Sequence, residues 1–172
     1  MTTLSDVLAA STGNWTLVPD RSRVTFRNKT LWGLATVTGR FTDFAGAGTA
    51  DDAVSGEVVI ATASLRTGIR KRDEHLRSAD FFDAEAHPDI TVRAKGLVPS
   101  DDGAARLTTV LTVRGVSKTV EMPVEVEVLD DGALRLSGRC TVHRGEFGVS
   151  GNMLGMVGPT TELSGELVFT RV

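Results

Sequence analysis

Residues 120–142 read VEMPVEVEVLDDGALRLSGRCTV. In the first half Val120, Met122, Val124, Val126 and Val128 alternate with Glu121, Glu125 and Glu127. After Asp130-Asp131-Gly132 the second half places Leu134, Leu136, Gly138, Cys140 and Val142 opposite Arg135, Ser137, Arg139 and Thr141. Two period-two runs joined by Asp-Gly turn chemistry make an antiparallel hairpin with one dry face and one wet. Pro123 removes one ladder donor, so the first strand is expected to be bulged or locally at an edge.

The same alternation spreads outward in both directions. Leu163, Gly165, Leu167 and Phe169 share a face near the end of the chain, and Val24 and Phe26 share one near its start. Ala35, Val37, Gly39 and Phe41 follow, then the apolar run Val58-Val59-Ile60, then Ile90, Val92 and Ala94. Asp101-Asp102-Gly103 and Arg114-Gly115 supply further turns. Many short strands at close spacing define a sandwich or a barrel, and periodicity alone does not choose between them. One stretch departs: IRKRDEHLRSA, residues 69–79, places Ile69, Asp73 and Leu76 on one helical face. A short helix is expected there, ended before Pro88.

A chain of 172 residues and 18.3 kDa suits one domain over residues 1–172, with residues 1–12 expected as a flexible N-terminal segment. The net charge of −3 argues against a nucleic-acid partner, and an aromatic content of 5% without tyrosine leaves few stacking platforms. Cys140 is the only cysteine, so no internal disulfide forms. No apolar run reaches the roughly 18 residues of a transmembrane span. The first ten residues carry no Lys or Arg and no apolar h-region follows, so a cytoplasmic location is expected.

The dry faces are rich in small residues: Ala35, Gly39, Ala94, Gly138 and Gly165. Glycine inside a strand marks a barrel bend, or it leaves room for a slender ligand within an eight-stranded barrel. No carboxylate or lysine falls on the dry face of the best-patterned strands. Such a lumen suits a hydrocarbon.

Four segments then stand out. Ser64-Leu65-Arg66-Thr67 is followed by RDEHLRSADFFD, residues 72–83, and by His87-Pro88. The others are LTVRGVSK over residues 111–118, RGEFGV over residues 144–149, and Gly39, Phe41, Phe44 and Gly46 in G-x-F-x-x-F-x-G spacing. Together they resemble the YceI-like family of lipid-binding proteins, from about Trp15 to the C-terminus. The resemblance implies an all-β fold, an extended antiparallel eight-stranded lipocalin-like barrel with a short helical excursion. It also implies an apolar pore for polyisoprenoids, including isoprenoid quinones, in a family whose members are often exported to the periplasm. The chain departs from the pattern at the polar end of the site. Val18-Pro19-Asp20-Arg21-Ser22 replaces an Asp-Pro and His-Ser pairing, Thr30 stands where a second histidine is common, and Pro159 stands where an acidic residue is common.

His75, His87 and His143 lack the close spacing of a zinc motif. Gly148-Val149-Ser150-Gly151 is not a nucleophile elbow, and the glycine-rich stretch 148–158 has no phosphate-cradling Gly-Lys-Ser/Thr. Its Met153, Leu154, Met156 and Val157 are either core beneath the loop or a movable lip. Arg66, Arg70, Lys71, Arg72 and Arg77 form either a solvated helix face or a clamp for an anionic headgroup. No catalytic residue, metal ligand or cofactor is expected.

The expected ligand-binding residues lie on the dry faces. They are Phe26, Val37, Gly39, Phe41 and Phe44 in the first third, and Val92, Leu111, Val124 and Val126 in the middle. Leu136, Gly138, Val142, Phe147, Leu154, Leu167 and Phe169 complete the set. The expected partner is an isoprenoid or other long-chain lipid, held by a carrier, buffer or storage protein, and a homodimer is left open. The rival readings are an enzyme acting on a bound isoprenoid-like or polyketide-like substrate, and an interaction module whose barrel is filled by its own side chains.

Overall fold

The computed structural model describes residues 3–100, 104–151 and 156–172. A helix α1 (Leu4–Ala10) precedes strands β1 (Gly13–Leu17), β2 (Arg23–Thr30), β3 (Ala35–Phe41), β4 (Phe44–Ala50), β5 (Val54–Ala61) and β6 (Leu65–Arg66). Helix α2 (Arg70–Arg77) comes next, then β7 (Asp89–Pro99), β8 (Ala105–Val113), β9 (Val116–Val128), β10 (Leu134–His143) and β11 (Thr160–Arg171).

Eight antiparallel strands close into a ring in the order β1-β4-β5-β7-β8-β9-β10-β11, with β11 pairing back onto β1. The choice between sandwich and barrel is therefore settled as a barrel. β11 divides its second edge: Phe169–Arg171 pair with β1, whereas Thr161–Glu166 pair with β2, which carries β3 and β6 outward. One end of the barrel, here the lower, lies at Leu134 and Phe169 beneath α1. The upper end lies at Val142 and Thr161.

The β9–β10 hairpin is antiparallel as expected, and its register sets Val126 opposite Leu136 and Val124 opposite Gly138. Pairing with β10 stops at Val124, so Pro123 sits at a local edge where a missing donor costs nothing. The ladder irregularity falls elsewhere, between Ala94 and Gly96 of β7. Arg114 and Gly115 take φ of 52° and 74°, the geometry of a two-residue hairpin turn that matches strand twist.

The N-terminal segment holds α1, because Thr3 and Asp6 form a reciprocal capping box: Asp6 N–H donates to Thr3 Oγ1 at 3.2 Å and Thr3 N–H to the Asp6 carboxylate at 2.8 Å. Arg171 then donates to Ala10 O at 2.9 Å, and Trp15 Nε1 to Ser11 O at 2.7 Å, pinning the helix over the lower end. In the second helix, Ile69 does not share a buried face with Asp73 and Leu76. It precedes the first turn and is exposed, while Asp73 is buried and accepts from Thr67 N at 2.9 Å and from Thr67 Oγ1.

Candidate functional site: an apolar lumen in two chambers

The core of the barrel is a cluster of inward side chains from every wall, among them Phe41, Phe44, Ile60, Leu65, Ile90, Leu111 and Phe147. It leaves two cavities at opposite ends. The lower, about 140 Å³, is lined by Leu8 of α1, Trp15, Val58, Leu97, Leu107 and Leu134 among others, and its surface is almost entirely apolar although Glu57, Thr109 and three further hydroxyl residues border it. The upper, about 250 Å³, is lined by Phe26, Leu31, Val37, Leu76, Phe81, Phe82, Met156 and Val157. Asn28, Thr30, Arg72, His75, Arg144 and Thr161 give it a polar rim. Thr161 of the upper cavity and Leu167 of the lower lie on the same strand, roughly 20 Å apart at the rise of an extended chain.

Between the chambers stands an aromatic plug. The rings of Phe26 and Phe41 are 5.6 Å apart, and Phe82 meets them edge-on at 6.2 and 6.3 Å. Gly39, directly across from Phe26, has no side chain because the Phe26 ring fills that volume. At Gly138 a side chain would come within 2.8 Å of Val124 Cγ1. Both glycines face inward as expected, but the space each leaves is taken by a neighbour and is not open pore.

The expected lining residues therefore separate into groups. Val92, Val126, Leu136, Leu167 and Phe169 line the lower cavity, and Phe26 and Val37 the upper. Phe41, Phe44, Leu111, Val142 and Phe147 are packed in the core cluster, and Val124 and Gly138 meet across a β9–β10 pair. Leu154, like Met153, lies outside the described residues. Of the loop's other apolar members, Met156 and Val157 are half-buried against the upper cavity. The lower cavity's Leu97 and Leu107 were not expected. They are directly paired across β7 and β8, and this cross-strand match is the signal that would have found them.

The signature arginines brace the upper end. Arg144 is only 9% exposed and spends its whole fork on carbonyls: Nε donates to Gly158 O at 2.8 Å, Nη1 to Val149 O at 2.7 Å and Gly151 O at 2.9 Å, and Nη2 to Val157 O at 3.1 Å. Burial pulls its guanidinium below the ordinary arginine value. Arg114 Nη1 donates to Ala79 O and Phe81 O, both at 2.7 Å, and Arg77 Nη2 to Leu65 O at 2.6 Å. Arg72 donates to Thr67 Oγ1 at 2.8 Å and Thr67 O at 2.9 Å. Of the basic run, Arg70 pairs with Glu74 at 3.2 Å and Lys71 is exposed, so the run is a solvated face on one side and a backbone brace on the other.

Thr30 lines the upper cavity, so the departure at this position falls at the polar end of the lumen. His75 sits on the same rim, 3.2 Å from an Asp80 carboxylate oxygen and edge-on to Phe81 at 5.1 Å. Among the described residues no group of three His, Cys, Asp or Glu could hold a metal ion. The Cys140 thiol is pushed up by burial, which suppresses the thiolate. Among those residues no helix is long and apolar enough to cross a membrane, which leaves strand-built spans untouched.

An eight-stranded antiparallel barrel around an apolar interior, with one polar rim, has the architecture of lipocalin-like proteins. The chain belongs to the YceI-like domain family, which it matches over residues 15–169. It is 33% identical over 135 residues to a UPF0312 protein of Pseudomonas aeruginosa, covering 73% of this chain and 70% of that one. A UPF0312 protein of Vibrio parahaemolyticus is 32% identical over 97 residues, 54% of this chain and about half, 51%, of the relative. Among solved structures, BcnA of Burkholderia cenocepacia superposes with a TM-score of 0.80 at 23% identity, covering 88% of this chain and 98% of that one. A polyisoprenoid binding domain of Saccharophagus degradans gives 0.77 at 16% identity over 92% and 98%. The Campylobacter jejuni YceI protein gives 0.70 at 27% identity over 78% and 85%.

Proposed function

We propose that this protein binds one long apolar lipid, a polyisoprenoid or isoprenoid quinone, along the barrel axis and acts as its carrier or buffer. The observation that carries the reading is the pair of apolar cavities at the two ends of β11, separated by side chains alone, among them the rings of Phe26, Phe41 and Phe82 and the aliphatic core. The polar rim of the upper cavity takes the oxygenated end of the ligand, and the tail points towards Trp15 and Leu8. Rotating Phe26 and Phe82 aside joins the chambers. Burial contributes about 0.8 kcal/mol per CH₂, so each five-carbon unit supplies roughly 4 kcal/mol, more than an off-rotamer ring costs. The likeness to a polyisoprenoid binding domain supports the same reading. The packed middle of the lumen favours, as a second reading, a barrel that stays filled by its own side chains.

One experiment tests the proposal: purification without detergent, organic extraction and mass analysis, followed by titration of the stripped protein with an isoprenoid quinone. Recovery of an isoprenoid, or stoichiometric saturable quinone uptake, is expected. Neither result, in a folded protein, leaves the second reading standing.

A further inference from the structure

The connection between β2 and β3 is Leu31-Trp32-Gly33-Leu34, and its three large apolar side chains are 45%, 68% and 87% exposed. Its backbone is unusual as well. Leu31, Trp32 and Gly33 have φ of 50°, 54° and 91°, and only glycine enters this region freely. Two bulky residues are held there, and such strain clusters at working sites. The tip thus displays apolar side chains to water on a backbone that disfavours them.

We propose that this tip docks the upper mouth of the barrel onto an anionic lipid bilayer, so that the ligand passes between bilayer and lumen without crossing water. The inference rests on the lipid-binding reading and adds where loading occurs. Leu31 belongs to both features: it is exposed at the tip and lines the upper cavity with Met156 and Val157. The apolar path from the tip into the barrel is therefore continuous. The charge around it fits an anionic surface. The exposed Lys29 lies two residues before Leu31, and the half-buried Arg72 stands on the cavity rim, whose lining includes no carboxylate; buried Arg144 and the Asp80-paired His75 take no part. Tryptophan and leucine beside basic groups match the apolar and headgroup layers of a membrane interface.

A second copy or another protein is the alternative occupant. Three side chains on one hairpin tip fall well short of the ~800 Å² per partner that a stable protein interface buries. A bilayer needs no such area, because it accepts single side chains by depth. It also removes a barrier. An isoprenoid entering through water would expose its whole hydrocarbon chain, whereas a mouth seated on the bilayer keeps it covered.

The protein's two tryptophans make the test direct. Trp15 is buried with its Nε1 bonded to Ser11 O, so it stays constant, and Trp32 reports on the tip. The full chain is mixed with phosphatidylcholine vesicles with and without phosphatidylglycerol, and both emission and co-flotation are read. The expected result is a blue shift and co-flotation with the anionic vesicles, weakened by salt. The Trp32→Ser/Leu34→Ser variant, whose two positions lie outside the cavity lining, is expected to lose about tenfold in vesicle partition, equivalent to roughly 1.4 kcal/mol. It should keep the wild-type circular dichroism and the same uptake of detergent-dispersed isoprenoid quinone. No shift with vesicles, or equal partition of the variant, overturns the proposal. A shift that appears on concentrating the protein without vesicles overturns it in favour of self-association. Vesicle binding without quinone uptake by either protein upholds docking and defeats the lipid-carrier reading instead.

Discussion

The Phe26 ring lies over Gly39 on the adjacent strand, in the volume that any side chain at position 39 would occupy. The two residues share one space: the glycine is small because the phenylalanine is large. The plug depends on that match.

Gly39→Leu is accordingly expected to overpack the barrel and cost roughly 1–3 kcal/mol, read as a lowered thermal midpoint. In a Phe26→Ala background the same substitution should cost much less, or recover stability. A double-mutant cycle measures the coupling. Independent effects at the two positions would show that the ring does not depend on the missing side chain.

Arg144 answers four backbone carbonyls with one planar fork. Arg144→Lys keeps the charge but gathers its three donors on one nitrogen, which cannot span carbonyls reached from three guanidinium nitrogens, so some of them lose their partner. A loss on the order of 3 kcal/mol is expected from orphaned buried acceptors. Denaturant unfolding of the lysine variant checks this, and near-wild-type stability would mean that water replaces the fork at no cost.

The basic face of α2 divides by what each side chain touches. Arg70→Gln and Lys71→Gln should each stay within about 0.5 kcal/mol of wild type, as exposed substitutions do. Arg77→Gln should cost roughly 1–3 kcal/mol, because it removes the charged donor to Leu65 O that ties the helix to β6. Binding of a polyprenyl phosphate to the Arg70 and Lys71 variants is expected to be unchanged. A large loss there would identify the exposed face as a headgroup clamp.

The β9–β10 turn makes a pH prediction. The Ala133 N–H, then the Arg21 guanidinium, hold the Asp131 carboxyl below the usual carboxylate value. A depressed folded value means that the stabilisation is fully present above the unfolded value, about 4, and fades as pH falls through the lower folded value. The thermal-midpoint difference between wild type and Asp131→Asn should therefore be largest near neutral pH and shrink below pH about 4. A difference independent of pH would assign the effect to the turn's shape alone.

Much of this architecture was legible in the chain because the strands obey a single rule. Wherever one face is dry, period two puts Val126 and Leu136, or Leu163 and Leu167, on it without further information. Barrel closure was less legible. Trp15 and Arg171 pair across almost the whole chain, and nothing local in either segment names the other. Val168 shows a further limit. Alternation puts it on the wet face beside Leu167 and Phe169, yet it is buried where β11 packs against the Pro19–Arg21 turn. The site was readable as an inward apolar set but not as two chambers. Whether glycine leaves a void or admits a neighbour depends on the ring across the strand pair, as at Gly39. The braces at Arg72, Arg77, Arg114 and Arg144 were visible only as charged letters, since their partners are carbonyls that carry no sequence signature.

The seam at which β1 meets β11 joins segments roughly 150 residues apart, residues 15–17 against 169–171. During synthesis β1 emerges long before its partner. The β1–β4 pair and the β4–β5 hairpin can zip early, but the cylinder stays an open sheet until β11 leaves the ribosome. Until then the apolar lumen is open between the unpaired edges of β1 and β10, the situation most prone to pairing with another chain. The same separation in sequence makes closure a slow, non-local step.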